Sequence, residues 1–235
     1  MPTISAPPKI AATRDYGAEI IFSGSTSVER EAVTAKVIAD TGARLVPPYD
    51  HPDIVLGQGT LGLELQEQVI LQSGGKGLDA IIAPCGGGGM LSGVALSAEG
   101  TGIKVFGAEP EFQGADDGMR GFYAGEKVEK VSSLTIADGL RTPVGRVPWG
   151  VIFERRLVSG MYSVGEEEIR RALRLVYERM KVVVEPSAVV PLAVALFDEG
   201  FRRMVEEEGG EEGWDLGVVF SGGNVDVEAL GGLFG

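Results

Sequence analysis

Four consecutive glycines, Gly86 to Gly89, follow the apolar run Asp79 to Pro84 and precede a helix-like segment, Met90 to Ala98. Strand, glycine loop and helix in that order are a way of cradling a phosphate. A helix N-terminus carries unpaired N–H donors and the positive end of the helix dipole, and a loop without Cβ atoms lets an anion approach the main chain. No Gly-Lys-Ser/Thr follows the glycines, so the lysine and Mg²⁺-binding hydroxyl of a nucleoside-triphosphate loop are missing. The G-x-G-x-x-G spacing of a dinucleotide site is missing as well. What remains is a single phosphate monoester held by main-chain donors, with a tight turn needing positive φ as the alternative.

The elements that must position this loop alternate along the chain. Pro7 and Pro8 open a short helix ending at Gly17, and Ala18 to Phe22 reads as a strand. Thr26-x-x-Glu29 matches a capping box before a helix over Val28 to Thr41, with Gly42 as its C′ residue and Arg44 to Val46 as the next strand. Pro47, Pro48 and Pro52 interrupt regular structure and mark a crossover between two domains. Gly57 to Val69 then reads as helix, and Asp79 to Ala83 and Lys104 to Ala108 as buried strands. Periodicity gives little guidance from there to Pro148. Ser163-x-x-Glu166 is a second capping box, ahead of an apolar stripe through Ile169, Ala172, Leu173, Val176 and Met180. Val182 to Val184 reads as a strand, Val189 to Val205 as a helix, and Leu216 to Phe220 as the last strand. Continuous apolar strands between helices imply an α/β fold with a mainly parallel sheet covered on both faces. Ligands in such sheets sit beyond the carboxyl ends of the strands. That rule selects Gly86 to Gly89, Glu109, Glu185 to Ser187, and Ser221 to Asn224.

Composition narrows the partners. The 235 residues are 44% apolar and 23% charged, with no run long enough to span a bilayer. The net charge of −13 repels nucleic acid and anionic membranes. The N-terminus lacks the regions of a secretory peptide, and the single cysteine, Cys85, cannot form an internal disulfide, so the sequence points to the cytoplasm. His51, the only histidine, sits in the proline-rich crossover and reads as a surface residue.

Six blocks in register meet a family. Gly57-Gln58-Gly59-Thr60, Pro84 to Met90, Ala137-Asp138-Gly139, Glu178-Arg179-Met180-Lys181, Glu185-Pro186-Ser187 and Ser221 to Asp226 resemble serine racemase and the serine/threonine dehydratases. These are pyridoxal-phosphate enzymes of the tryptophan synthase β-like fold, also called fold type II. The resemblance implies a three-layer parallel-sheet architecture, with residues 1–48 as a remnant of the small domain and 49–235 as the large cofactor-binding domain. It assigns the cofactor's 5′-phosphate to Gly86, Gly87, Gly88, Gly89 and the Met90 amide, the backbone beside the ring to Gly139, and the pyridine nitrogen to the Ser221 hydroxyl. A neutral hydroxyl there leaves that nitrogen less protonated than a carboxylate would, which weakens the electron sink. Glu109, the Ala115 carbonyl and Asp117 resemble the family's divalent-cation site, an all-oxygen set suited to Mg²⁺ or Ca²⁺. The Glu111 to Gly114 stretch is longer than the family spacing, and a solvated acidic loop is the alternative. The implied substrate is a small amino acid, serine or threonine, and the full-length family is expected to form homodimers.

The family's Schiff-base lysine lies in a Ser-Phe-Lys-x-Arg-Gly type segment, followed by a loop that grips the substrate carboxylate. Lys9, Lys36, Lys76, Lys104, Lys127, Lys130 and Lys181 are the seven lysines, and none has those neighbours. The expectation is a family member beginning about a third of the way in, N-terminally truncated and inactive as the isolated chain because the lysine segment is absent. The alternative is a non-catalytic cofactor-binding remnant, or a partner of a full-length homologue.

Overall fold

A computed structural model of the chain describes residues 1–235 except Ala6, Thr26, Ala229 and Gly235, so the Thr26 half of the first capping box lies outside the described residues. The chain divides into two compact units, Pro48–Gly223 and a smaller one of Met1–Pro47 with Asn224–Gly235.

The smaller unit carries α1 (Pro7–Asp15), α2 (Ser27–Thr41) and α10 (Leu230–Phe234). The strands expected at Ala18 to Phe22 and Arg44 to Val46 do not form ladders. The first contributes one isolated parallel bridge, Pro2 to Ser23, and Leu45 and Val46 are exposed. A short β-prone run needs a neighbouring strand along its length to satisfy its amides, and Met1 to Thr3 meets only its end, at Ile21 and Ser23.

The larger unit is built on four parallel strands: β1 (Ala80–Pro84), β2 (Lys104–Pro110), β3 (Gly160–Val164) and β4 (Leu216–Val218), in the order β3-β2-β1-β4. β3 was not marked by the sequence pattern, and the strand expected at Val182 to Val184 is absent, with Val182 and Val183 exposed. Every residue of β1 is buried, as a strand covered on both faces requires. Successive side chains alternate between faces, so Ile81, Ala83 and Cys85 join Leu91, Val94, Val105, Met161 and Val219 in one core. Phe106 meets Phe201 and Tyr162 in a separate aromatic cluster.

Helices α3 (Pro52–Ser73) and α4 (Gly89–Ala98) pack together on one side. His51 is the N-cap of α3, its Nδ1 accepting the Asp53 N–H at 3.2 Å, and Gly74 closes the helix in the left-handed conformation. Close approach requires glycine at the α3–α4 crossing, where a Cβ on Gly93 would lie 2.4 Å from Gly59 N. α5 (Asp117–Ala124) and α6 (Arg146–Trp149) follow β2, and α6 continues in π-type turns through Glu154. α7 (Glu166–Leu175) and α8 (Val190–Phe197) lead to α9 (Glu199–Gly209). The single helix expected over Val189 to Val205 is broken at Asp198, whose Oδ1 accepts the Phe201 N–H at 2.6 Å and so starts α9 afresh. No helix among the described residues is long and apolar enough to cross a membrane.

Candidate functional site

The glycine loop begins where the sheet ends. Cys85 N donates to Ala108 O at 2.8 Å, the last bond of the β1–β2 pairing, and the chain then passes through Gly86 and Gly87 to Gly88, the N-cap of α4, at φ +84°. Gly86 to Gly89 are all buried. The N–H groups of Gly86, Gly87 and Gly88 make no hydrogen bond to a described residue. Buried amides are almost always paired, so three without an acceptor at the start of a ten-residue helix are the signature of an anion site.

The loop is walled by its neighbours. A Cβ on Gly86 would lie 2.9 Å from Leu140 Cα and 3.1 Å from Gly139 O, so Gly139 does stand beside the loop. Ser187, buried at the start of the helical turn Pro186–Val189, accepts the Gly139 N–H on its Oγ at 3.0 Å and fixes that backbone. Gly145 N donates to Gly87 O at 3.0 Å. β4 pairs with β1 as far as Ile82↔Val218, with Val219 N donating to Ile82 O at 3.0 Å, so Ser221 follows the carboxyl end of the strand beside β1. Glu185 N donates to Gly222 O at 3.0 Å and ties the Glu185–Ser187 segment to the Ser221 turn. Three of the four strand-end segments are thereby joined by contact or register.

The fourth, Glu109, lies deeper. Its Oε1 accepts the Gly118 N–H at 3.1 Å and its Oε2 the Met119 N–H at 2.7 Å, closing the start of α5. Asp117 Oδ2 accepts the Val144 N–H at 3.0 Å. Both carboxylates and Ala115 are buried. Burial, with the Asp117 charge adding to it, holds the Glu109 carboxyl well above the usual carboxylate range. Burial pushes Asp117 up to about 6. The Cys85 thiol is pushed up by burial and then by these two carboxylates. Among the described residues no three His, Cys, Asp or Glu side chains are grouped to hold a metal.

Two features escaped the sequence pattern. Ser163 lies in β3 opposite Glu109, so it cannot cap α7, whose N-cap is Gly165. Glu166 instead turns to the loop ahead of Gly139, accepting the Thr135 hydroxyl at 2.5 Å and the Ile136 N–H at 3.1 Å. The second is Tyr49, whose ring packs on Gly87. No motif in the sequence marked either contact, because each depends on segments far apart in the chain.

Five of the seven lysines lie in the larger unit. Lys76 pairs with Asp215 and Lys104 with Glu208, both at the amino ends of strands, opposite the loop. Lys127 is held by Glu129 and the Val144 carbonyl, Lys181 by the Glu178 carbonyl, and Lys130 is exposed. Among the described residues none of these five makes a hydrogen bond or ion pair with Gly86–Gly89, although the Val144 that Lys127 binds packs beside Gly88.

The sequence profile of the pyridoxal-phosphate dependent enzymes matches residues 1–219. The chain belongs to this family. Among pyridoxal-phosphate enzymes it is similar to L-threo-3-hydroxyaspartate ammonia-lyase of Saccharomyces cerevisiae, 40% identical over 231 residues that cover 97% of the chain and 65% of the relative. It is also similar to serine racemase of Arabidopsis thaliana, 40% identical over 217 residues, covering 92% of the chain and 61% of the relative. The solved structure of maize serine racemase superposes with a TM-score of 0.87 at 38% identity, over 98% of the chain and 67% of that structure. The chain thus spans less than two thirds of the length of these two curated relatives. Its fold is that of the tryptophan synthase β-like pyridoxal-phosphate enzymes, as its six motif blocks led one to expect.

Proposed function

We propose that the chain binds pyridoxal 5′-phosphate and belongs to the machinery of a racemase or ammonia-lyase acting on a small β-hydroxy-α-amino acid. The observation that carries this is the set of buried N–H donors of Gly86 to Gly88 at the start of α4, which make no hydrogen bond to a described residue and suit an ester phosphate in number. In this reading Gly86, Gly87, Gly88, Gly89 and the Met90 amide hold the phosphate. Gly139, braced by Ser187, lies beside the ring, and the Ser221 hydroxyl meets the pyridine nitrogen. When bound, the cofactor supplies an electron sink for negative charge at the substrate's Cα. Ser221, being neutral, keeps that sink weaker than a carboxylate partner would, which favours return of a proton or departure of a β-hydroxyl. Serine, threonine and 3-hydroxyaspartate share that hydroxyl, and the names of the relatives support this substrate class. Residues 1–48 serve as the small-domain part and 49–235 as the cofactor-binding part. The acidic charge favours small-molecule partners in the cytoplasm, without nucleic acid or membrane, and a homodimer for the full-length family.

We further propose a hard divalent ion beside this site. Glu109 and Asp117 are two buried carboxylates, one raising the other's pKa, and Mg²⁺ or Ca²⁺ between them and the Ala115 carbonyl would relieve that repulsion while waters complete the shell. Elemental analysis of protein purified without chelator tests this: an ion bound one to one is expected, and none bound with no thermal stabilisation by Mg²⁺ or Ca²⁺ removes it.

A second reading is favoured by the placement of the lysines. With none of the larger unit's five lysines bonded to the loop, and none of the seven lysines in the family's Schiff-base motif, the isolated chain would hold the cofactor without the base that moves the Cα proton, and be non-catalytic alone or paired with a full-length homologue. Purified chain mixed with pyridoxal phosphate is expected to bind it without a stoichiometric borohydride-reducible lysine adduct and without serine turnover. A stoichiometric adduct with turnover would place a catalytic lysine in this chain and sink the second reading. Failure to bind any phosphorylated pyridoxal analogue would sink both.

A further inference from the structure

The glycine loop has a brace that none of its motifs contains. Tyr49, the second residue of the larger unit, lies with its ring on the loop: a Cβ on Gly87 would stand 2.3 Å from Tyr49 Cγ and 2.4 and 2.5 Å from its two Cδ atoms. Near-equal distances to three adjacent ring carbons mean that Gly87 meets the face of the ring rather than its edge. A Cβ on Gly89 would lie 3.1 Å from Tyr49 Cβ and 3.2 Å from both its Cα and its carbonyl oxygen. The next two residues anchor this placement. Asp50 Oδ1 accepts the Val147 N–H at 2.8 Å, in the first turn of α6, and His51 caps α3. Opposite the tyrosine, Gly86 is backed by Leu140 Cα and Gly139 O. The Gly87 carbonyl is turned to Gly145 N, and in a trans peptide this aims the Gly88 N–H the other way.

We propose that Tyr49 is a positioning residue for the phosphate ester. Its ring holds the Gly86–Gly89 peptides in the orientation that points their N–H groups at one anion and keeps water from that side of the loop. A run of four glycines has more backbone freedom to lose than other sequences, so an unbraced loop would be ordered at the expense of the anion's affinity. Excluding water also strengthens each N–H to oxygen bond, because the local dielectric falls. The ring carbons make the contact, so the phenol oxygen is not required for it. The proposal rests on the reading of Gly86–Gly89 as a phosphate cradle.

The test uses 4-deoxypyridoxine 5′-phosphate, which has no aldehyde and so forms no lysine adduct, beside unphosphorylated 4-deoxypyridoxine and inorganic phosphate, each measured by equilibrium dialysis. Tyr49→Phe is expected to bind all three as the wild type does. Tyr49→Leu and Tyr49→Ala are expected to lose about tenfold or more for the phosphorylated ligand and for inorganic phosphate, the loss expected of a loop no longer preorganised. Binding of the unphosphorylated ligand is expected to be equally weak in all four proteins, which a general loss of structure would not produce. Tyr49→Leu keeps most of the apolar volume and so covers the case in which Tyr49→Ala does not fold. Gly87→Ala alone is expected to abolish phosphate binding through its clash with the ring, and to regain part of it in the Tyr49→Ala background. Wild-type affinity for both phosphorylated probes in Tyr49→Leu and Tyr49→Ala would overturn the role of Tyr49 and leave the cradle standing. A wild-type chain that binds neither probe would overturn the cradle reading and this proposal with it.

Discussion

In the proposed function Ser221 and the glycine loop would divide the work of holding one cofactor between two ends, and single substitutions should separate them. On that proposal Ser221→Ala would remove one hydrogen bond to the pyridine nitrogen, worth about 1 kcal/mol net. The expected result is a roughly fivefold weaker affinity for 4-deoxypyridoxine 5′-phosphate with inorganic phosphate binding unchanged, both read by dialysis. Equal losses for the two probes would show Ser221 acting on the loop instead of the ring. At this scale the strand-end rule was enough to select Gly86 to Gly89, Glu109, Glu185 to Ser187 and Ser221, because glycine, carboxylate and hydroxyl at a strand's carboxyl end are a chemical pattern written locally. Tyr49 was out of reach of such a rule: an aromatic residue among prolines is chemically unremarked until Gly87, nearly forty positions away, is brought under its ring.

Helices that position the site were legible where their caps and breaks are local, and misread where a partner segment intervenes. Pro52 and Gly74 bound α3 as helix-start and helix-stop residues do, yet periodicity marked only Gly57 to Val69 and Pro52 read as a breaker, so the helix was legible and its ends were not. Ser163-x-x-Glu166 has the capping-box spacing, yet β3 claims Ser163 and the Thr135–Ile136 turn claims Glu166. Glu166→Ala should therefore destabilise the larger unit by about 1–3 kcal/mol in urea melts, by leaving a hydroxyl and an N–H unpaired. An effect near zero would show that water replaces the carboxylate at no cost. The glycines of α3 and α4 make a second, paired prediction. Gly57 is exposed in a helix interior with nothing near its missing Cβ, so Gly57→Ala should stabilise by about 0.5–1 kcal/mol. At Gly93 a Cβ would lie 2.4 Å from Gly59 N and 2.5 Å from Val55 O, both backbone atoms unable to yield. Gly93→Ala should force the helices apart and cost about 1–3 kcal/mol or more, as overpacking does. Thermal melts of the two variants should move in opposite directions.

Across the whole molecule, the buried carboxylate pair links stability to pH and, if the proposed ion site is occupied, to metal. Asp117 titrates at about 3.8 unfolded and about 6 folded, so the folded state binds its proton more tightly. Its contribution is therefore fully present below about pH 4 and is lost as pH rises through about 6, with Glu109 losing its own share at higher pH. Without divalent ions the melting temperature should carry this falling component, and Asp117→Asn should flatten it. Added Mg²⁺ or Ca²⁺ should stabilise the chain more at about pH 8 than at about pH 5, where protons compete for the same oxygens. A metal effect independent of pH would place the ion elsewhere. The sequence by itself determined the α/β class, the parallel sheet and its covered faces, and the order of the motif blocks, since burial periodicity, caps and glycine runs are encoded within a few residues. Only the tertiary structure decided which apolar runs become strands. Ala18 to Phe22 and Val182 to Val184 are β-prone but find no ladder, whereas Gly160–Val164 pairs with β2. A strand's hydrogen bonds belong to its neighbour and not to its own sequence. The glycine loop follows the same logic: its composition suggests the proposed anion site, but which walls close on it depends on contacts between distant segments.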